Sequence, residues 1–236
     1  MTYSFGSLLS NHPARVAGFM FLFVLATYLV GDFVFLSELI VWGDITETAR
    51  RITADQTQYR FGTLLHLICT IGTLVLIVAL YILLRPVDKN IALLGLLWRL
   101  GEVILGGIIV LSDFVVMSLV GSKNYLNDFT QGQIDVLVNI FVTAHYDTLR
   151  IAIVFSTMGA MSFYYVFLKS TYIPKIFSIS GILAALTALS ITLFTFIAPD
   201  MGAAIQLGYL PIFIFEISLG LWLLFKGINI EPKTIN

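Results

Sequence analysis

Long apolar runs, each about as long as a membrane-spanning helix, dominate the pattern of hydrophobic and polar positions along the chain. A helix needs about 20 mostly apolar residues to cross the hydrocarbon core of a bilayer. The polar connections between the runs are too short to hold a separate domain. The pattern predicts an all-α, polytopic membrane helix bundle that forms one integral membrane domain over residues 1–236. The six predicted transmembrane helices cover residues 14–36, 62–84, 91–120, 137–168, 174–198 and 209–225.

Composition agrees with an integral membrane protein. Of the 236 residues, 58% are hydrophobic and 11% are charged, whereas soluble domains carry roughly 25% charged residues. The lipid bilayer is therefore the expected partner. The net charge of -1 gives no support for nucleic-acid binding. Cys69 cannot form an internal disulfide, because it is the only cysteine, and we expect it to act as a small buried hydrophobe. The first apolar run lacks a small-x-small cleavage site, which favours a retained helix.

Basic residues predict the orientation of the bundle. With the N-terminus inside, seven Lys and Arg residues flank the inner ends of the helices and four flank the outer ends. This asymmetry favours both termini inside. In the first outer loop, Asp44 is followed three residues later by Glu47, a spacing similar to a capping box. It predicts a short amphipathic helix over residues 45–54, either a solvated surface helix or a lid over an outward-facing cavity.

Charged residues interrupt the third apolar run on one side only. At 100° per residue, Arg99, Glu102, Gly106 and Asp113 fall within an arc of about 60°. Gly95 falls in the same arc, and the rest of the segment is almost wholly Leu, Ile and Val. Because lipid offers charged groups no partner, this stripe is expected to face protein or water.

Other helices supply candidate partners for that stripe. On the fourth helix, Asn139, Tyr146 and Arg150 share an arc of about 60°, and Arg150 lies at a depth where it could meet Asp113. The sixth helix carries Glu216 near the middle of the membrane, as a partner for Arg99. We expect a polar axis inside the bundle. Its charged core lies near the middle of the membrane, and polar side chains line the path that leads to this core from the outer side. The candidate ligand-binding or charged-core residues are Arg99, Glu102, Glu216, Asp113, Arg150, His66, Tyr146 and Asn139.

Two interpretations of these charges stay open. Buried ion pairs can simply hold helices in register, whereas ionisable residues inside a membrane more often mark a functional site. The leading hypothesis is an outward-opening polar pocket that binds a small molecule or an ion, in a transporter or a sensor. The alternatives are an intramembrane metal-dependent enzyme and a structural or partner-binding membrane subunit with no ligand. Gly106 and Gly107 suit close helix packing within one chain or between chains, which leaves a homo-oligomer open.

Enzyme chemistry has little support in the sequence, and no cofactor is predicted. His66, Asp113 and His145 are weak candidates for a metal site, since two imidazoles and a carboxylate can bind zinc with one position open. His145, however, lies about 120° away from the polar stripe of the fourth helix. The chain has no nucleophile motif, no P-loop and no glycine-rich dinucleotide fingerprint. A protein without enzymatic activity is therefore the favoured interpretation.

Four stretches together resemble one bacterial family. They read GDITETA at 43–49, LYILLRPVDKNIALLGLLWRL at 80–100, LKSTYIPKIFSISG at 168–181 and EISLGLWLLFKGIN at 216–229. In these stretches the chain is similar to the multi-pass membrane family of the domain of unknown function 4386. The resemblance implies a bacterial cytoplasmic (inner) membrane protein with this helix count, and it implies no activity. Asp88 stands where a neutral or amide residue is more usual. The family-type positions are Asp44, Arg99, Glu216, Trp222 and Lys226.

Overall fold

Every regular element in the described part of the chain is helical. The structure is a computed structural model, and it describes residues 5–121, 128–198 and 207–229. Two π-helical turns, Val30–Leu36 and Trp222–Lys226, follow the first and last helices directly. The α-helices are α1 (Phe5–Leu29), α2 (Ile45–Ala54), α3 (Gln56–Leu84), α4 (Lys89–Val120), α5 (Gln131–Lys169), α6 (Lys175–Ile197) and α7 (Leu210–Leu221).

Within the described residues, five helical segments are long and apolar enough to cross a membrane, which makes the chain a multi-pass membrane protein. The sixth predicted span corresponds to α7, which has 12 residues and continues into a π-helical turn of five. That segment is shorter than the about 20 residues of a full crossing, and residues 199–206 before it lie outside the described residues. The five spans are Asn11–Leu36, Gln56–Leu84, Lys89–Val120, Gln131–Lys169 and Lys175–Ile197.

Polar capping residues start two helices earlier than hydropathy predicts. Helix α3 begins at Gln56 rather than at residue 62, because Asp55 accepts the backbone N–H of Gln58 at 2.8 Å. Helix α5 begins at Gln131 rather than at residue 137. There, the side chain of Gln133 accepts the backbone N–H of Thr130 at 2.9 Å, as in a capping box. Hydropathy finds the apolar part of a helix and misses such polar first turns.

The short helix α2 occupies the range indicated by its sequence. Asp44 accepts the N–H of Glu47 at 2.9 Å and caps the helix. Gly43, just before the cap, has φ +84°, a left-handed conformation that glycine adopts without strain. Glu47 in turn pairs with Arg50 at 2.6 Å and Arg51 at 2.8 Å. Hydrogen bonds from Arg50 and Arg51 lower the pKa of Glu47 to about 2, so this helix carries its own charge pairing.

The chain divides into two compact units built from separate segments. The first unit comprises Met1–Phe23, Gly72–Glu102 and Ile153–Asn236, and the second comprises Val24–Ile71 and Val103–Ala152. The boundaries fall inside helices α1, α3, α4 and α5.

Each unit has its own close packing. In the first, the backbones of α1 and α7 nearly touch, since a Cβ added to Gly18 would lie 2.7 Å from the carbonyl oxygen of Gly220. Small residues allow this kind of approach between membrane helices. The second unit contains a cluster of buried side chains from α2 to α5 and the turn before α2. It comprises Leu36, Leu39, Ala49, Ile52, Tyr59, Val116, Val120, Val138 and Val142.

Candidate functional site

The polar stripe of α4 lies on the buried side of that helix. Arg99 and Asp113 are buried, and Glu102 is partly buried. Leu97, Ile104 and Leu111 occupy other faces of the helix, with more than half of each residue exposed. Exposed leucine and isoleucine suit contact with lipid, so the charged side chains turn away from it.

Within the second unit, Asp113 lies between two histidines. Its side chain is 0% exposed, and those of His145 and His66 are 3% and 7% exposed. Nδ1 of His145 lies 2.7 Å from Oδ1 of Asp113, and Nδ1 of His66 lies 4.0 Å from Oδ2. The two imidazole rings also contact each other, with centroids 5.2 Å apart. Helices α3, α4 and α5 therefore each contribute one polar side chain to a single buried cluster.

Several polar atoms of this cluster have no hydrogen-bond partner among the described residues. They are both ring nitrogens of His66, Nε2 of His145 and Oδ2 of Asp113. A buried polar atom without a partner costs about 1–3 kcal/mol, and nearly all such atoms in proteins are paired. Imidazole nitrogens and carboxylate oxygens with free lone pairs are also the donors that bind divalent metal ions.

The geometry of the cluster fits such an ion. Ligand atoms from His66, Asp113 and His145 all lie within 4.8 Å of one another. Zinc at about 2.0–2.1 Å from nitrogen and oxygen in a tetrahedral site places its ligands about 3.3 Å apart. The free Oδ2 of Asp113 lies 4.0 Å from Nδ1 of His66, somewhat more than that spacing, whereas the 2.7 Å contact of His145 is a hydrogen bond to the other carboxylate oxygen.

Aromatic and polar side chains surround the cluster and orient it. The hydroxyl of Tyr59 donates a hydrogen bond to Oδ1 of Asp113 at 3.0 Å. Tyr28 stacks on His66 with centroids 5.9 Å apart, and Tyr146 contacts His145 at 4.7 Å. Hydrogen bonds to a ligating carboxylate are a usual feature of metal sites, where they fix the orientation of the ligand.

The expected pair between Asp113 and Arg150 is not formed. Arg150 instead bonds Asp147 of its own helix, with Nη1 2.6 Å from Oδ1, and both side chains are substantially exposed. The buried positions in this half of α5 are Asp135, Val138, Val142 and His145, spaced as one helical face. His145 therefore lies on the buried face of α5, and its angle to the Asn139–Arg150 stripe does not keep it from Asp113. Asn139 and Tyr146, which border that face, are partly buried.

The charged core predicted around Arg99 lies in the first unit. Nε of Arg99 is 2.9 Å from Oε2 of Glu102, an ion pair without hydrogen-bond geometry. Nη1 of the same arginine donates to the hydroxyl of Ser156 on α5. A Cβ on Gly159 would collide with the Arg99 side chain, so this glycine makes room for the arginine beside α5.

Glu216 and Tyr164 complete the charged core. Glu216 on α7 interacts electrostatically with both Arg99 and Glu102. Tyr164 interacts electrostatically with the same three charged groups. Its buried hydroxyl has no hydrogen-bond partner among the described residues. This region therefore holds two carboxylates and one guanidinium.

Two residues of these clusters were not predicted from the sequence, Asp32 and Ser156. Asp32 lies at the end of the first apolar run, and an acidic residue inside a predicted span is itself a signal. Ser156 gave no signal, because serine is common in membrane helices and often bonds the backbone of its own helix.

A shallow groove on the first unit contains none of the predicted site residues. It lies between α6 and α7, has a volume of about 370 Å³ and is mostly apolar. Its lining residues are Phe177, Ser180, Leu183, Ala184, Thr187, Pro211, Ile214, Phe215 and Ser218.

Comparison with known proteins identifies a family and no activity. No curated protein and no solved structure matches the chain significantly. One family model matches residues 16–227, and its description is "Domain of unknown function (DUF4386)". Since the match covers most of the chain, the protein belongs to the family of the domain of unknown function 4386.

Proposed function

We propose that this multi-pass membrane protein binds one divalent transition-metal ion, with zinc as the reference ion, through His66, Asp113 and His145. The observation that carries the proposal is the convergence of three buried donor groups, with unpartnered lone pairs, from three helices. A mixed imidazole and carboxylate set suits zinc and neighbouring metals of the first transition row.

Three protein ligands leave a fourth position on a tetrahedral ion, and its occupant decides the chemistry. A water molecule there would be activated, as in metal-dependent hydrolases, whereas a fourth protein ligand would close the site. The ion-binding transporter or sensor and the intramembrane metal-dependent enzyme therefore share one ligand set. They differ in whether the bound ion is the cargo or signal, or instead a catalyst.

Metal content tests the proposal directly. Purified protein in detergent is loaded with zinc, freed of excess by dialysis and analysed for metal per chain. We expect about one zinc per chain in the wild type and a large loss in His66→Ala and His145→Ala. His12→Ala is the matched control, because His12 is exposed and should leave the zinc content unchanged. A wild type with no more zinc than the His66→Ala/His145→Ala double variant would rule the proposal out.

A second candidate function concerns the charged core of Arg99, Glu102 and Glu216. Two carboxylates against one guanidinium, beside the unpartnered hydroxyl of Tyr164, favour a small cationic ligand or an ion. The hydrogen bond from Arg99 to Ser156 instead favours the interpretation that the charges set helix register. Arg99→Leu separates the two. Improved thermal stability with unchanged ligand binding would leave only the register role.

We further propose six crossings, with both termini on the inner side of a bacterial cytoplasmic membrane. In this proposal α7, the π-helical turn after it and neighbouring residues form the sixth crossing, and the basic inner flanks fix the direction. A reporter that fluoresces only in the cytoplasm, fused after residue 236, is expected to be active. A reporter active only outside the membrane, in the same position, should stay silent, and the opposite pattern would reject this topology.

A further inference from the structure

We infer that Asp32 is a fourth protein ligand to the metal ion, so that His66, Asp113, His145 and Asp32 enclose it. This inference rests on the proposed function and deepens it. A closed set of four ligands holds an ion as cargo, signal or structural element, whereas an activated water needs an open position. The site would then serve ion binding rather than hydrolysis.

A π-helical turn presents Asp32 at the cluster. The backbone N–H of Ser37 donates to the carbonyl of Asp32 at 2.8 Å, the i to i+5 bond of the π-helical turn Val30–Leu36. Such turns inside longer helices are rare and occur frequently at functional sites.

The residue before Asp32 touches the cluster itself. A Cβ added to Gly31 would lie 3.2 Å from Cδ2 of His66 and 3.4 Å from the carbonyl oxygen of Gly62. The backbone of the π-helical turn therefore runs against the His66 ring. Asp32 is the next residue along the chain, so its backbone lies directly beside that contact.

The Asp32 side chain interacts with the groups around Asp113. Its Oδ1 accepts a long hydrogen bond from the Tyr146 hydroxyl at 3.4 Å, and the Tyr146 ring contacts His145. Asp32 also interacts electrostatically with both His145 and Asp113. Its carboxylate lies outside the set of His66, Asp113 and His145 ligand atoms that are within 4.8 Å of one another. Because the Tyr146 bond is long and weak, and a divalent cation would offset the repulsion between Asp32 and Asp113, a bound ion is expected to draw this carboxylate towards the cluster.

Charge balance gives an independent reason for a second carboxylate. A divalent ion bound by Asp113 and two neutral imidazoles keeps a net positive charge inside the membrane. Such a charge is costly in a low-dielectric interior unless it is paired. Asp32 is an acidic side chain that both contacts Tyr146 beside the site and interacts electrostatically with Asp113. Its carboxylate brings the complex to neutrality.

Zinc affinity of Asp32 variants tests the inference. Zinc is titrated into metal-free protein against a chelating indicator of known affinity, for the wild type, Asp32→Asn and Asp147→Asn. Asp147 is a matched control, since its carboxylate is exposed and bonds only Arg150 among the described residues. We expect Asp32→Asn to raise the Kd at least about tenfold, the lower end for loss of a supporting group at a metal site. Asp147→Asn should leave the Kd unchanged.

A second variant keeps the test independent of folding. Asp32→His replaces the carboxylate with another zinc ligand and is expected to bind within about tenfold of the wild type. Equal affinity of Asp32→Asn and Asp147→Asn would overturn the inference, as would an Asp32→His protein that binds as weakly as Asp32→Asn. A wild type that binds no zinc would instead remove the proposed function, so the two failures are distinguishable.

Discussion

Nδ1 of His145 and Oδ1 of Asp113 lie 2.7 Å apart, with both side chains almost fully buried. The pair joins α5 to α4 within the second unit. An aspartate buried to this degree inside a membrane protein needs a partner. His145 and Tyr59 supply one each, at Oδ1, while Oδ2 is without a hydrogen-bond partner among the described residues. The same carboxylate is therefore anchored on one oxygen and open on the other, which suits a ligand.

Removal of His145 should destabilise the protein strongly. His145→Ala leaves the buried Asp113 carboxylate without its closest partner, and loss of one member of a buried pair costs about 3–5 kcal/mol. Unfolding in mixed detergent micelles at neutral pH, without added metal, measures the change. His12→Ala should stay within about 0.5 kcal/mol of the wild type, as expected for an exposed side chain. Equal stability of the two variants would mean that the His145–Asp113 pair does not hold the helices together.

Loss of the Tyr59 hydroxyl should weaken metal binding without abolishing it. Tyr59→Phe removes the 3.0 Å hydrogen bond to Asp113, and loss of such an outer partner typically lowers metal affinity 10- to 100-fold. We expect the zinc content at saturation to stay at one per chain while the Kd rises. Tyr165→Phe, at an exposed position, is the control. A Tyr59→Phe protein with wild-type affinity would show that this hydrogen bond does not orient a ligand.

Two glycines inside helices should respond to alanine in opposite ways. At Gly159 a new Cβ would collide with the Arg99 side chain and lie 3.0 Å from the carbonyl oxygen of Gly95. Gly159→Ala is therefore expected to lower the free energy of unfolding by about 1–3 kcal/mol. Apart from the chain neighbours and backbone of its own helix, Gly107 has no described atom within 4 Å of such a Cβ, so Gly107→Ala should be neutral or stabilising by up to about 1 kcal/mol. Destabilisation by both to the same extent would contradict the assigned packing of Arg99.

The pair of Asp88 and Lys169 should make stability depend on pH at the acidic end. Nζ of Lys169 lies 2.7 Å from Oδ2 of Asp88, and this hydrogen bond, helped by the N–H of Ile91, lowers the pKa of Asp88 below its ordinary 3.8. A carboxylate with a lower pKa in the folded state stabilises the protein above its unfolded pKa. That contribution is lost as the pH falls through the folded value.

Asp88→Asn should therefore be less stable than the wild type near neutral pH, with a gap that closes below about pH 3.8. Lys169→Gln should give the same change, and the double variant should add little, since the two residues form one interaction. Unfolding curves between neutral pH and pH 3 provide the measurement. A gap that is constant with pH would show that the pair makes no electrostatic contribution.

Hydrophobic periodicity predicted the larger features of this fold because membrane helices must be both long and apolar. It placed five spans that the structure also contains, and Asp44 with Glu47 indicated the range of α2. The stripe of Arg99, Glu102 and Asp113 on α4 indicated the buried side of that helix. A charge in a mostly apolar helix has few favourable orientations, so these residues carry much information about which side faces the protein.

The position of His145 was harder to predict, because polar residues near the end of a span have water and loop partners available. Arg150 resembled a buried residue in the pattern, yet Asp147, three residues earlier, satisfies it at an exposed position. A better indicator of the buried face of α5 was the pair of valines Val138 and Val142. His145 follows them at the spacing i, i+4 and i+7, which places it on the same helical face. The placement of Asp32 beside the cluster depends on a π-helical turn, and the hydrophobic pattern of a sequence does not reveal an i to i+5 hydrogen bond.

X-ray absorption at the zinc edge, recorded on purified zinc-loaded protein, tests the central claim most directly. We expect one zinc with two imidazole nitrogens and the remaining ligands oxygen, at about 2.0–2.1 Å. His66→Ala protein treated in the same way should retain too little zinc to give this imidazole signal, and His12→Ala should give the wild-type spectrum. A spectrum without imidazole, or an unchanged imidazole signal in His66→Ala, would contradict the assignment of His66, Asp113 and His145 as the metal site.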